Sequence, residues 1–149
     1  MRKIDVFSKH GLAGVKDSSG DIALFYNFLA EVKKEGFVFL IGSQTHLVPA
    51  MIGGASGCVS GLSNAYPEFI LQIYERCLQG KYAEAAGLQK RANILRKITG
   101  EGIPIPFYHA VMRMLGVDIG VPKAPFSPVS DDEYRRLHST LVTLGMLRK

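Results

Sequence analysis

Short apolar runs alternate with longer amphipathic segments in the first half of the chain. Residues 12–17 (LAGVKD) and 37–41 (FVFLI) predict two buried β-strands, and residues 57–61 (GCVSG) predict a third. The run at 37–41 is continuously apolar, which is typical of a parallel sheet covered on both faces. The hydrophobic pattern therefore favours an α/β fold with parallel strands.

Helices are predicted after each of these strands. One apolar helical face follows capping oxygens at residues 18–21, and Gly36 is its expected C-cap. A short helix is expected over 47–52, and another begins at residues 64–67 and is closed by Gly80. The face of the first helix consists of Leu24, Phe25, Phe28, Leu29 and Val32. Such compact βα units imply parallel strands joined by right-handed crossovers.

No strand is predicted beyond residue 80. Apolar residues recur at spacings of three and four over residues 82–95, 105–115 and 134–144, which predicts three further helices. Residues 130–133 (SDDE) form a capping box for the last of them. We therefore expect an α/β part at residues 1–80 and a C-terminal helical region at residues 81–149.

Composition places the chain among globular proteins. Of its 149 residues, 47% are hydrophobic and 21% are charged, which argues against intrinsic disorder. No apolar stretch approaches about 20 residues, so no membrane-spanning helix is expected. The N-terminal residues lack the apolar core and cleavage site of a secretory signal, and a cytoplasmic location is expected.

Charge and metal-binding residue types point to no further class of partner. The formal charge of +5 permits a polyanion, but the densest basic stretch, residues 89–97, also fits a solvated helix face, and no nucleic-acid recognition motif occurs. Cys58 and Cys77 are too few and too far apart for a zinc ribbon or a disulfide framework. The four histidines are scattered, so neither a metal site nor a cofactor is predicted.

Lys16 is the most informative residue for chemistry. It stands at the end of an otherwise apolar predicted strand, and parallel α/β folds place their active sites at the carboxyl ends of strands. Apolar surroundings favour the neutral amine of a lysine, which can attack a carbonyl and form a Schiff base. The alternative is a surface lysine just past the strand that pairs with Asp17.

Two glycine-containing turns lie at equivalent positions. Residues 42–45 (GSQT) follow the second strand and could hold an anion or a polyol, or could simply cap the next helix. Residues 57–64 (GCVSGLSN) could let a ligand approach the backbone, or could reflect close packing in a tight barrel. The residues alone leave both alternatives open.

Three segments together resemble one known family. The segment at residues 14–21 is GVKDSSGD, the segment at 41–68 is IGSQTHLVPAMIGGASGCVSGLSNAYPE, and the third runs from Ile103 and Pro104 to Glu133. They resemble the Schiff-base lysine motif, the next two βα units and the C-terminal helical region of the dihydrodipicolinate synthase/N-acetylneuraminate lyase family. The SGLSNAYPE stretch resembles the sugar-acid aldolases of that family somewhat more than its lysine-pathway synthases.

The resemblance implies a partial (β/α)8 TIM barrel, with strands equivalent to strands six to eight, followed by a helical region. It implies a lyase in which Lys16 forms an imine with pyruvate or another 2-oxo acid, so that a C–C bond to an aldehyde is made or broken without a cofactor. The backbone carbonyl of Val59 would lie beside the keto acid. The positions expected to line the variable end of the substrate are Ser18, Gly42, Gln44 and Gly61.

The resemblance also implies that parts of the family's site are missing. Neither the GTTGE-like turn expected to bind the keto-acid carboxylate nor the YYxxP motif expected to supply a proton-shuttling tyrosine occurs. Three parallel strands cannot close a barrel. We therefore expect a homo-oligomer or a partner chain that supplies the N-terminal half of the barrel, and the alternative is a non-catalytic truncated homologue or an oligomerisation partner.

Overall fold

The computed structural model describes residues 2–98 and 104–147. Helices and strands alternate along the chain up to residue 58, and the described residues beyond it contain helices but no strand. The strands are β1 (Gly14–Asp17), β2 (Val38–Ile41) and β3 (Gly57–Cys58). The helices are α1 (Arg2–Lys9), α2 (Ile22–Glu31), α3 (Leu47–Gly53), α4 (Pro67–Leu78), α5 (Tyr82–Ile98), α6 (Ile105–Met114) and α7 (Asp131–Thr143).

The three strands form one parallel sheet in the order β1-β2-β3. Lys16 is the register partner of Leu40, and Leu40 is the partner of Gly57, so these three residues lie on one face of the sheet. In the part of the chain that the structure describes, β1 and β3 each pair with one neighbour only. The sheet therefore has a free edge at each side.

The two faces of the sheet differ in burial. Phe39 and Ile41 lie on one face and are 8% and 1% exposed. Val38 lies on the other face and is 39% exposed. In the described chain the second face is therefore less covered than the first, and the expectation of a sheet covered on both faces is wrong at Val38.

Two helices at the start of the chain differ from the sequence prediction. Helix α1 was not predicted, since residues 2–9 lack a long apolar stripe. Helix α2 begins at the predicted cap, where Asp21 accepts hydrogen bonds from the backbone N–H groups of Ala23 and Leu24. It ends at Glu31 rather than at Gly36, because Val32 adopts an extended conformation and buries its side chain.

The predicted apolar faces of α4 and α5 are largely buried in the structure, although Tyr82 of the α5 face is 45% exposed. Ile70, Ile73 and Cys77 are the buried residues of α4, whereas Leu78 is 63% exposed and lies outside the buried face. Helix α5 buries Ala85, Ala92 and Leu95. Both cysteines are free thiols.

Helix α7 begins at the predicted cap. Ser130 accepts a hydrogen bond from the backbone of Glu133, and the Glu133 carboxylate accepts one from the backbone N–H of Ser130, so the predicted capping box is confirmed. Ile103, at the start of the third family-like segment, lies outside the described residues.

The chain divides into two compact units, Met1–Asn93 and Ile94–Lys149. Their boundary falls inside α5, whereas the sequence analysis places the domain boundary between residues 80 and 81. Compactness alone does not define a folding domain, so that division stays a prediction. None of the described helices is both long enough and apolar enough to span a bilayer.

Candidate functional site

The carboxyl ends of the three strands meet at one edge of the first unit. Lys16 is near the end of β1, Gly42 directly follows β2, and Val59 directly follows β3. The backbone N–H of Gly42 donates to Asp17 O at 2.6 Å, and that of Val59 donates to Ile41 O at 2.9 Å. These bonds continue the sheet pairing beyond the strands and bring the predicted site segments together.

Lys16 is exposed on the uncovered face of the sheet. The expected apolar enclosure of this lysine is wrong for the described chain, because both Lys16 and Val38 on that face are exposed. Asp17 points to the opposite face and is 6% exposed. Its carboxylate accepts hydrogen bonds from the backbone N–H and the hydroxyl of Ser19. Lys16 thus has the surface position of the alternative interpretation, but within residues 2–98 no ion pair joins it to Asp17.

Gly42 and Ser18 lie against each other beside Lys16. A methyl group at Gly42 would overlap Ser18 Oγ and would lie 3.0 Å from Lys16 Cε. Ser18 itself is exposed. The structure therefore brings three of the predicted site residues together at the ends of β1 and β2.

Gln44 is buried rather than open to a ligand. It is 4% exposed, and its side-chain oxygen accepts a hydrogen bond of 3.1 Å from the hydroxyl of Ser60. The turn that contains it continues into a 3-10 turn over Gln44–His46 and then into α3. Because its side-chain oxygen is already bonded, a contact between Gln44 and the variable end of a substrate stays a prediction.

The hydroxyls of the same turn are bonded to each other. Ser43 Oγ and Thr45 Oγ1 are 2.6 Å apart, and Ser43 makes no side-chain capping bond to the helix that follows. This pairing does not favour either of the two sequence interpretations, an anion site or an ordinary cap, over the other.

Val59 and Gly61 lie on the loop after β3. The Val59 side chain is 44% exposed. The backbone oxygen of Gly61 accepts hydrogen bonds from the backbone and side-chain amides of Asn64, which closes a 3-10 turn over Leu62–Asn64. The substrate roles of Val59 and Gly61 also stay predictions.

Gln89 of α5 supports this site and was not predicted. It is 7% exposed, its Nε2 donates to Gln44 O at 2.6 Å, and its Oε1 accepts from the backbone N–H of Val48 at 3.1 Å. It thereby ties α5 to the turn after β2. The signal in the sequence is a lone amide on the otherwise apolar helical stripe formed by Ala85 and Ala92.

Cys58 is a titratable group whose pKa is affected by Lys16. Burial raises the pKa of its thiol to about 11, and the positive charge of Lys16 opposes part of that rise. The thiol is therefore protonated at neutral pH, so it does not act as a nucleophile there. In the ranges 2–98 and 104–147, the structure contains no cluster of three or more His, Cys, Asp or Glu residues suited to a metal ion.

A family model decides the identity of the chain. The model described as the dihydrodipicolinate synthetase family matches residues 5–144. The chain belongs to this family. The resemblance inferred from the three sequence segments is therefore confirmed.

Curated relatives agree with this family and are much longer than the chain. The chain is 30% identical over 139 residues to a 4-hydroxy-tetrahydrodipicolinate synthase from Exiguobacterium sp., covering 93% of the chain and 47% of that relative. It is 31% identical over 136 residues to an uncharacterised DapA-like lyase from Halobacterium salinarum, covering 91% of the chain and 44% of that relative. The chain thus spans about half the length of the relatives that it matches.

Solved structures show the same fold over about half of their own length. The dihydrodipicolinate synthase from Aquifex aeolicus superposes with a TM-score of 0.87 at 20% identity, over 99% of the chain and 51% of that protein. A Sulfolobus solfataricus 2-keto-3-deoxygluconate aldolase variant superposes with a TM-score of 0.79 at 24% identity, over 97% of the chain and 52% of that protein. The predicted α/β architecture with parallel strands is therefore confirmed, and it matches part of the barrel of this family.

Proposed function

We propose that the chain carries the imine-forming lysine of a lyase or aldolase that acts on a pyruvate-type 2-oxo acid. The observation that carries this proposal is the position of Lys16, at the carboxyl end of β1 and on the open face of a parallel sheet. Under this proposal β1, β2 and β3 correspond to strands six to eight of a (β/α)8 barrel, and the open face is the side that faces the barrel interior.

The chemistry requires a neutral amine and a carbonyl carbon. The Lys16 amine adds to C2 of the oxo acid, and loss of one water from the adduct leaves a protonated imine. Loss of a proton from C3 sends its electron pair to the imine nitrogen and gives an enamine. C3 then attacks the aldehyde carbon, the aldehyde oxygen takes up a proton, and water releases the product and restores the amine. In the cleavage direction the same steps run in reverse.

The neighbouring residues have positions that suit recognition of the substrate. Val59 follows β3, and we propose that its backbone carbonyl lies beside the bound oxo acid. Ser18, Gly42 and Gly61 would contact the variable end of the substrate, since they lie at the ends of the same three strands. Any contact of Gln44 with the substrate would be made by atoms other than its side-chain oxygen, which is bonded to Ser60.

A second polypeptide segment is needed to complete this site. About half of the family's length is unmatched by this chain, and a (β/α) barrel takes about 250 residues. A groove of about 500 Å³ lies beside the free edge of β3. Its lining includes Leu40, Gly57, Cys58, Pro67, Leu71 and Tyr74. We propose that the remaining βα units of the barrel occupy this groove, and that the completed protein forms a homo-oligomer.

The second candidate function is that of a non-catalytic homologue or oligomerisation partner. The exposure of Lys16 and the absence of the GTTGE-like and YYxxP motifs favour it for the chain by itself. The two candidates differ in whether Lys16 reacts with a 2-oxo acid once the missing segment is supplied.

Borohydride trapping tests the catalytic proposal. The chain is incubated with pyruvate and borohydride, and peptide mass spectrometry locates the reduced adduct. We expect the adduct at Lys16 and its loss in Lys16→Arg, because a guanidinium cannot form the imine. Lys34→Arg is the matched control, since Lys34 is another exposed lysine of the same unit and its Nζ donates to Leu12 O.

A result without selectivity would overturn the proposal. If Lys16 gains no more adduct than Lys34, even with the missing barrel segment present, then Lys16 is not the nucleophile and the non-catalytic role is favoured.

A further inference from the structure

Gly42 stands at a point where groups from the end of β1 converge. A methyl group at this position would overlap Ser18 Oγ, and it would lie 2.7 Å from the backbone oxygen of Asp17 and 3.0 Å from Lys16 Cε. The first two contacts are too short for any real side chain, and the third is tight enough that the lysine must shift by a few tenths of an ångström. A side chain at Gly42 therefore crowds the present path of Lys16.

Backbone conformation does not explain the glycine. Gly42 does not have a positive φ, unlike Gly36, Gly54 and Gly80. Its backbone N–H donates to Asp17 O at 2.6 Å, so the two strand ends are already held at hydrogen-bond distance. The absence of a side chain at Gly42 therefore leaves space for the end of β1, and it is not needed for backbone freedom.

We propose that Gly42 is a positioning residue for Lys16. Its bare backbone lets the aminobutyl chain of Lys16 pass over the end of β2, and this sets where the amine stands. The catalytic consequence rests on the proposed function, whereas the packing of Lys16 against Gly42 does not.

The backbone of Asp17 makes the effect of a side chain hard to relieve. Ser18 is exposed, and its hydroxyl can rotate away from an added methyl group. The Asp17 oxygen cannot, because it is fixed by the bond from Gly42 itself. An alanine at this position must therefore separate the ends of β1 and β2 or displace the lysine.

Gly57 provides a matched control. It is a buried glycine of β3, the next strand of the sheet, and is the register partner of Leu40 in β2. A methyl group at Gly57 would meet only Leu40 Cδ2, at an ordinary contact distance of 3.5 Å. The substitution Gly57→Ala thus adds the same methyl group to the sheet without crowding Lys16.

NMR spectroscopy tests the packing directly. In the unaltered chain we expect nuclear Overhauser effects between the Gly42 α-protons and the Lys16 ε-protons. We expect Gly42→Ala to shift the Lys16 Cε resonance, while Gly57→Ala leaves it in place and the Lys34 Cε resonance moves in neither variant. Absence of the Overhauser effects in the unaltered chain would overturn the inference, and this holds even if Gly42→Ala does not fold.

Imine trapping tests the catalytic consequence. Displacement of a reacting group by about 1 Å can lower a rate by up to about 100-fold, so we expect trapping at Lys16 to fall by at least about tenfold in Gly42→Ala. Gly87→Ala, at an exposed position of α5 where an added methyl group meets no other atom within 4 Å, should retain the original rate. Equal trapping in both variants would overturn the positioning role, whereas no trapping in the unaltered chain would overturn the proposed function and leave the NMR result to decide the packing.

Discussion

At the scale of single residues, the positive charge of Lys16 acts on the thiol of Cys58. Burial raises the pKa of Cys58 to about 11, and the Lys16 ammonium lowers it in part. Since the folded-state pKa lies above the unfolded value of about 9, the unfolded chain loses its thiol proton first. The contribution of Cys58 to stability is therefore present below about pH 9 and is lost as the pH rises through about 11.

Replacing Lys16 with methionine should raise the pKa of Cys58 further. The substitution removes the positive charge of Lys16, which favours the Cys58 thiolate, and keeps an apolar stem of similar length. Ultraviolet absorbance of the thiolate during a pH titration measures the shift, with Lys34→Met as the control. An unchanged titration of Cys58 would show that Lys16 does not act on it.

Replacing Gln89 with leucine should destabilise the first unit by about 3 kcal/mol. The change leaves the backbone N–H of Val48 without its side-chain acceptor, at about 1–3 kcal/mol. It also removes one of two donors to the backbone oxygen of Gln44, at about 1 kcal/mol, since that oxygen keeps the bond from the Leu47 N–H. Urea unfolding measures the loss. Gln72→Leu, on the exposed side of α4, should change the free energy of unfolding by less than about 0.5 kcal/mol. Equal effects of the two changes would contradict the supporting role of Gln89.

The sequence identifies Lys16 but not Gln89, for a physical reason. A lysine at the end of an apolar strand stands out from its neighbours in the chain. The role of Gln89 depends on which backbone groups α5 packs against, and those groups are 41 and 45 residues away. Local pattern carries no information about such a distant partner.

At the scale of elements, the helix ends show which local signals are reliable. Ser130 and Glu133 predict the start of α7 because the capping bonds are made within three residues. Gly36 does not mark the end of α2, because the burial of Val32 ends that helix first. Side-chain caps are local, whereas the burial that ends a helix is set by the tertiary fold.

Replacing Ser130 with alanine should weaken α7 by about 1 kcal/mol near neutral pH. Hydrogen bonds from Ser130 lower the pKa of Glu133, so the carboxylate form supports the cap. That contribution is present above the unfolded pKa of about 4.5 and is lost as the pH falls through the lower folded-state value. Hydrogen exchange of the α7 amides measures both effects.

The difference between Ser130→Ala and the unaltered chain should therefore shrink at acid pH. Thr140→Ala is a suitable control on the same helix, since its hydroxyl bonds to Arg136 O within the helix and takes no part in the cap. A difference that is the same at acid and neutral pH would show that Glu133 does not contribute through its charge.

At the scale of the whole molecule, the open face and the free edges of the sheet have one common explanation. The chain spans about half the length of its relatives, and the solved structures superpose on it over about half of theirs. The family motifs in the sequence predict an incomplete barrel, but only the structure shows that Val38 and Lys16 are exposed on the uncovered face. Exposure of this kind depends on tertiary packing, which a local pattern of residues does not record.

The unmatched segment of a relative should bind at the groove beside β3. We expect the part of the Exiguobacterium relative that this chain does not match to form a complex with the chain, measured by native mass spectrometry. Leu71→Asp should weaken the complex, because Leu71 lines the groove and is 50% exposed. Leu78→Asp is the control, since Leu78 is on the same helix and exposed but is not among the groove-lining residues. Equal weakening by both changes would contradict this docking site.

The most direct test of the proposed chemistry is site-resolved borohydride trapping with pyruvate, carried out on the chain with and without that completing segment. We predict that the adduct forms selectively at Lys16 and that its yield rises when the segment is added, because the segment encloses the open face of the sheet. An adduct spread evenly over the exposed lysines in both conditions would contradict the assignment of Lys16 as the imine-forming residue.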